Sequence, residues 1–282
     1  MYVTVKPPTT VGELLDWARE KLAHFPEPLR EARQALLLAT GERHLERNER
    51  LSPFTRGRFR RIVEARARGV PWPVLEGVTG FLDFEVLVPP GVFIPRPETE
   101  ELAELAVTEF QKAPKGARAL DIGTGTGVLA IALARARPDG EVWAVDISSR
   151  ALRAARRNAQ RLGVKIKVRR SNLFSAVEGK FHLIVANPPY VAKEAWKTLP
   201  SDVRNFDPKA ALDGGKNGLY FLTRLVREAP DFLVSGGVLL LELAPSQGER
   251  VLAEAESTGK WRECSVLPDL SGRPRFFRGY RC

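Results

Sequence analysis

Two short segments carry residue types that do chemistry when they are held rigidly. The first is Asn187-Pro188-Pro189-Tyr190, directly after the apolar run His182 to Ala186. A planar NH2 group, whether an amide or an aromatic amine, has a delocalised lone pair and is a poor nucleophile. If the Asn187 side-chain oxygen and the Pro188 carbonyl each accept one of its N–H bonds, the nitrogen is aimed and the positive charge developing on it is stabilised. The prolines stiffen the loop, and Tyr190 offers a flat face to a flat acceptor. Asn187, Pro188 and Tyr190 are therefore the candidate catalytic residues, and together with Pro189 they form the candidate substrate-binding loop. The plainer alternative is a proline-rich turn with a packed tyrosine.

The second segment is Asp121-Ile122-Gly123-Thr124-Gly125-Thr126-Gly127, which ends one apolar run and opens a helical one. Glycines there let the backbone turn tightly and approach a ligand that a Cβ would displace. A dinucleotide fingerprint would put its third glycine where Val128 stands, so the spacing argues against a nicotinamide cofactor. The next strand ends in Asp146, where a carboxylate can accept from both ribose hydroxyls of an adenosine. Loop and carboxylate together point to S-adenosylmethionine. The candidate cofactor residues are Asp121, Gly123, Thr124, Gly125, Thr126, Gly127, Asp146 and Ile147, with Asn187 touching donor and acceptor alike. Asp121 either faces the positive end of the methionine or holds the loop amides. Asn172 and Leu173, followed by Phe174, stand where an adenine ring would be gripped, although Leu173 and Phe174 suit a core equally. Asp146 could instead cap the Ser148-Ser149 turn.

Chemistry at strand ends requires a sheet, and the pattern supplies one. Strands are predicted at Ala117 to Ile122, Glu141 to Asp146, Lys165 to Arg169, His182 to Ala186 and Val238 to Leu243. Helices are predicted near Gly127 to Arg137, Ser149 to Leu162, Gly218 to Ala229 and Gln247 to Ser257. This alternation predicts a doubly wound, Rossmann-like α/β sheet. Cys264 to Leu267 and Arg275 to Arg281 read as an antiparallel C-terminal hairpin about Ser271 to Pro274. An acidic amphipathic helix is expected from Glu98 to Phe110.

Ahead of the sheet, a capping box at Thr10 and Glu13 starts a helix that Pro26 and Pro28 stop. A second helix spans Leu29 to Thr40, and a short one is expected at His44 to Arg50. Ser52 and Pro53 start another, which Gly69 closes. Pro71-Trp72-Pro73 reads as an extended link, and Gly80 to Ile94 as β structure turning at Pro89-Pro90-Gly91. The expected organisation is an all-α bundle over 1–73, a β-hairpin linker over 74–97 and the catalytic domain over 98–282.

With 282 residues, 44% of them hydrophobic and 28% charged, the chain has the balance of a globular protein. Its net charge of +10 invites a polyanionic or acidic partner. Residues 1–75 hold 14 basic and 9 acidic side chains, which makes the front far more basic per residue than the remainder. Two cysteines, Cys264 and Cys282, make no disulfide framework, and His24, His44 and His182 are scattered without metal-ligand spacing. No metal is expected, and a reducing cytoplasm is. Met1 to Thr10 lacks an apolar leader core, and apolar runs such as Val238 to Leu241 are halted by residues like Glu242, so no membrane span is expected.

These motifs, joined to Phe93-Ile94-Pro95-Arg96-Pro97-Glu98-Thr99-Glu100, resemble the release-factor glutamine N5-methyltransferases, the PrmC or HemK family. Asp207-Pro208, Ala211-Leu212, Gly214-Gly215, Gly218-Leu219 and Asp269-Leu270-Ser271-Gly272-Arg273 are similar to that family as well, so the resemblance spans nearly the whole chain. It implies a class I methyltransferase fold that uses S-adenosylmethionine to methylate the glutamine of the Gly-Gly-Gln motif in class I release factors. It further implies that Phe93 and Thr99 belong with the cofactor residues, that Arg96 meets substrate, and that the loop Arg96 to Thr99 closes over the reacting groups. The helical bundle would dock the release factor, with no stable nucleic acid, no membrane and a monomeric enzyme. Asn172 and Leu173 depart from the family, which often has Asp followed by Trp there.

A nucleic-acid amino-methyltransferase acting on adenine N6 or guanine N2 is the alternative, since a flipped base is also planar. Arg56, Arg58, Arg60, Arg61, Arg66 and Arg68, opposed only by Glu64, could meet phosphate or could form a solvated helix face.

Overall fold

In the computed structural model, which describes residues 8–282, the capping box at Thr10 is formed. Thr10 Oγ1 accepts the Glu13 N–H at 3.3 Å, and Glu13 Oε2 accepts the Thr10 N–H at 3.0 Å, starting α1 (Val11–Lys21). Residues 1–7 of the stretch expected to lack a leader lie outside the described residues. Helix α2 (Pro28–Thr40) stops at Gly41 with φ +82°, a left-handed cap that glycine adopts without penalty. Helix α3 (Pro53–Ala67) is capped by Ser52 Oγ, which accepts the Thr55 N–H at 3.1 Å. Their apolar faces bury Leu14, Ala18, Leu22, Ala32, Ala35, Phe59 and Val63 in one core. Each large side chain there contributes about 1.5–3 kcal/mol.

Two expectations in this region are corrected. His44 to Arg50 is not helical. It runs alongside the start of α1, where the Arg47 and Glu49 carbonyls accept the Gly12 and Val11 N–H groups that the helix itself leaves free. Pro71-Trp72-Pro73 is not an extended link either, because Trp72–Glu76 forms a short helix, α4. Prolines are tolerated in a first turn, whose N–H groups have no partner within the helix.

The chain divides into two compact units between Glu76 and Gly77, so the expected 74–97 linker is shared between them. The hairpin β1 (Val78–Phe81) and β2 (Phe84–Leu87) belongs to the second unit and turns at Leu82-Asp83, not at Pro89-Pro90-Gly91. Leu82 takes φ +51° to close that two-residue turn. Val92 to Ile94 is not a strand.

The second unit continues with α5 (Pro97–Gln111), β3 (Arg118–Ile122), α6 (Val128–Ala136), β4 (Glu141–Asp146), α7 (Ser149–Arg161), β5 (Lys167–Arg170) and β6 (Phe181–Ala186). It closes with α8 (Ser201–Phe206), α9 (Tyr220–Glu228), β7 (Leu233–Glu242), α10 (Gly248–Thr258), β8 (Trp261–Pro268) and β9 (Pro274–Arg281). The sheet order is β5-β4-β3-β6-β7-β9-β8. The first five strands in that order are mutually parallel, β9 joins antiparallel to β7, and β8 pairs antiparallel with β9. Ala119, Leu120, Asp121 and Ile122 are all buried, as a strand covered on both faces requires. The chain leaves β3 toward β4 on one side and returns at β6 on the other. That reversal opens a crevice beyond the carboxyl ends of the central strands, where ligands bind in such sheets.

β7 begins at Leu233, five residues ahead of the expected Val238, because it tolerates Gly236 and Gly237 where the pairing with β6 shifts register. No helix among the described residues is long and apolar enough to cross a membrane.

Candidate functional site

Asp121, the next-to-last residue of β3, is fully buried. Its Oδ2 accepts the Thr124 hydroxyl at 2.6 Å and the Ala130 N–H at 3.2 Å, which ties strand, loop and helix together. Its Oδ1 is buried without a partner. Burial pushes the Asp121 carboxyl up to about 7 against the pull of those two donors.

The three glycines of the loop all take positive φ, +75° at Gly123, +57° at Gly125 and +89° at Gly127, for different reasons. A Cβ on Gly127 would meet Ala155 at 3.0 Å, so that glycine lets α6 pack against α7. A Cβ on Gly123 or Gly125 would meet nothing nearer than 3.9 Å, which leaves open space above the first half of the loop.

Asp146 ends β4, and its contacts within the protein are the turn and the glycine loop. Its Oδ1 accepts the Ser148 N–H at 2.8 Å, the local turn, and its Oδ2 accepts the Gly125 N–H at 3.0 Å, holding the glycine loop. A carboxylate has about four acceptor positions, so each oxygen keeps capacity for a further donor. Burial raises the pKa of this carboxyl. Ile147 beside it is 56% exposed, an uncovered apolar side chain at the rim. Asn172 is exposed and Leu173 is buried with φ +51°, while Phe174 stacks on Phe232 with centroids 4.5 Å apart. Both Leu173 and Phe174 sit in the core cluster, which favours their packing role.

Asn187 follows β6 directly. Its Nδ2 donates to Thr99 Oγ1 at 2.9 Å, and Thr99 Oγ1 donates to Glu242 Oε2 at 3.0 Å. The Tyr190 hydroxyl donates to the other oxygen, Glu242 Oε1, at 2.9 Å. Burial pushes Glu242 up to about 7, with both hydroxyls and Arg275 opposing the shift. Burial together with the Glu242 charge holds the Tyr190 phenol well above its ordinary range. Thr99, expected among the cofactor residues, therefore has its hydroxyl engaged by protein on both sides. Asn187 Oδ1 and the Pro188 carbonyl accept no hydrogen bond among the described residues. Gln247 donates to the Tyr190 carbonyl at 2.8 Å and to that of Asn217 at 3.1 Å, which anchors the back of the loop.

Arg96, expected to meet substrate, pairs with the buried carboxylate of Asp207, whose Oδ1 also accepts the Ile94 N–H at 3.1 Å. The Arg96 guanidinium lies over the Phe93 ring at 5.3 Å. Arg96 thus fastens residues 93–99 to the segment after Tyr190.

Sequence reasoning missed Glu242 as a site residue, although an acidic residue ending an apolar strand was the signal. It also overestimated the free charge on α3. Arg66 pairs with Glu31 at 2.5 Å and stacks on Phe25 at 3.9 Å, and Arg60 lies 5.8 Å from the Trp17 ring, so two of the six arginines pack within the bundle. Among the described residues, no cluster of three or more His, Cys, Asp or Glu could hold a metal ion.

A family model described as methyltransferase small domain matches residues 83–202. A release factor glutamine methyltransferase of Deinococcus radiodurans is 39% identical over 268 residues, covering 94% of this chain and 95% of that one. One from Geobacter sulfurreducens is 35% identical over 285 residues, covering 98% and 99%. Among solved structures, the T. thermophilus 16S rRNA N2 G1207 methyltransferase in complex with AdoMet and guanosine matches with a TM-score of 0.52 at 21% identity. It covers 73% of this chain and 50% of that one, a likeness of fold.

Proposed function

Since the chain belongs to the release factor glutamine methyltransferases, we propose that it transfers a methyl group from S-adenosylmethionine to the side-chain amide nitrogen of a glutamine, the one in the Gly-Gly-Gln motif of class I release factors. The observation that carries this reading is the free acceptor pair, Asn187 Oδ1 and the Pro188 carbonyl, at the end of a central strand. Two acceptors match the two N–H bonds of a carboxamide. They orient its nitrogen and stabilise the positive charge that grows there during attack. The nitrogen becomes strongly acidic once methylated, so its proton can pass to water.

The residues at the neighbouring strand ends fit S-adenosylmethionine. The unpartnered Asp121 Oδ1 is a buried acceptor suited to a cationic group, and the space above Gly123 and Gly125 would be filled by any Cβ. Asp146 would hold the ribose hydroxyls with its remaining acceptor capacity, and the exposed face of Ile147 would lie against the adenine. When bound, the cofactor supplies an electrophilic methyl group on a sulfonium. Phe93 and Asn172 complete the proposed surroundings, bordered by Thr99, whose hydroxyl is engaged by Asn187 and Glu242, and by Leu173, which packs in the core.

The first unit serves, in this reading, to dock the release factor. It offers a 77% exposed Phe54 with exposed Arg58 and Arg61 on the same helix, four and seven residues on, where they share a face. An acidic protein surface with an apolar spot is its natural complement. We further propose a cytoplasmic monomer that holds no nucleic acid stably.

Incubating the protein with labelled S-adenosylmethionine, a release factor and bulk RNA or DNA tests the reading. Label is expected in the release factor and not in one whose Gly-Gly-Gln glutamine is replaced. Label in nucleic acid alone would favour the base-methylating alternative.

A further inference from the structure

We propose that Glu242, acting through Thr99, decides which way the Asn187 carboxamide faces and is thereby a positioning residue for methyl transfer. The inference rests on the proposed role of Asn187 as receiver of the acceptor amide. One chain of hydrogen bonds runs from Tyr190 and Thr99 to Glu242 and from Asn187 to Thr99. A carboxylate can only accept. Glu242 is buried at the end of β7 and receives the Tyr190 hydroxyl on Oε1 and the Thr99 hydroxyl on Oε2. A hydroxyl has a single proton, so Thr99, having given its proton to Glu242, can only accept from Asn187. The group it receives at 2.9 Å must be the Asn187 NH2, and Oδ1 is thereby turned to the opposite side.

The two ends of a carboxamide are nearly the same shape, and packing alone discriminates poorly between them. Turned over, Asn187 would present NH2 to the NH2 of its substrate, donor against donor. The acceptor geometry therefore needs a hydrogen-bond polarity imposed from elsewhere. Above about pH 7, where Glu242 is ionised, it imposes that polarity because both of its oxygens accept. A glutamine there would offer one oxygen and one NH2, and would reverse either Thr99 or Tyr190. An apolar side chain would fill the end of this strand without the large cost of desolvating a carboxylate, so the carboxylate has a purpose other than packing. The same carboxylate holds Tyr190, so both ends of the acceptor loop take their orientation from one group.

Two variants of the full-length protein test this, Thr99→Val, which keeps shape and loses the hydroxyl, and Thr99→Ser, which keeps the hydroxyl. Thr99→Val is expected to lower kcat about tenfold or more while leaving KM for cofactor and release factor within about threefold, and Thr99→Ser to recover at least about a third of wild-type turnover. Independently of turnover, NMR is expected to find the Asn187 side-chain amide protons protected from exchange in the wild type and in Thr99→Ser, but not in Thr99→Val. Wild-type kcat in Thr99→Val, or unchanged Asn187 protection in it, would overturn the proposal. A wild-type protein that methylates no release factor would instead defeat the functional reading, and the NMR comparison would still decide the orientation.

Discussion

The Tyr190 hydroxyl and Glu242 Oε1, 52 residues apart in sequence, lie 2.9 Å from each other at the end of β7. Tyr190→Phe removes the donor and leaves that buried oxygen without it. Thermal unfolding is expected to report a loss of about 1–3 kcal/mol. Turnover should fall less than in Asn187→Ala, because the flat ring remains. A Phe variant as stable as the wild type would argue that the hydrogen bond contributes nothing.

Asp121 gives a pH signature. Its folded-state pKa of about 7 lies above the ordinary 3.8, so the native state holds a proton that the unfolded chain releases between those values. This contribution to stability is present at low pH and is lost as pH rises through about 7. Asp121→Asn cannot ionise and does not lose it. In cofactor-free protein the Tm of the wild type is therefore expected to fall relative to Asp121→Asn between about pH 4 and pH 7 and then to level. A constant difference across that range would contradict the burial argument.

The glycines separate packing from ligand approach. Gly127→Ala forces a Cβ against Ala155 at 3.0 Å with φ +89°, and is expected to cost about 1–3 kcal/mol of stability. Gly125→Ala meets no protein atom nearer than 3.9 Å, and should chiefly weaken cofactor binding, measured by calorimetry, while lowering Tm less than Gly127→Ala does. The reverse ranking would mean that Gly125 is structural.

Arg96 and Asp207 form a pair with one member almost wholly buried. Arg96→Ala strands the Asp207 carboxylate and is expected to cost about 3 kcal/mol. The double variant Arg96→Ala with Asp207→Asn should recover more than half of the lost Tm, because the charge is gone and the side-chain oxygen still accepts the Ile94 N–H. No recovery would show that Arg96 acts through packing on Phe93.

Much of this was legible because the deciding signals are local. Thr10 with Glu13, Pro53 after Ser52, and the apolar runs ending in Asp121, Asp146 and Asn187 each state their geometry within a few residues. The failures share a different cause. The run His44 to Arg50 is set by carbonyls that pair with a distant helix start, and Arg66 faces inward because Glu31 and Phe25 are there. Glu242 reads locally as the end of an apolar run; only the fold brings it to Thr99, 143 residues earlier in sequence, and to Tyr190. Arg96 looks free in sequence because nothing near it announces Asp207.

The destination of the methyl group tests the proposed function most directly. After reaction with wild-type protein and S-adenosylmethionine, peptide mass spectrometry of a release factor is expected to find one added methyl on the Gly-Gly-Gln glutamine side chain, and its loss, with cofactor binding retained, in Asn187→Ala. Methylation of any other residue, or an unmodified glutamine beside labelled nucleic acid, would contradict it.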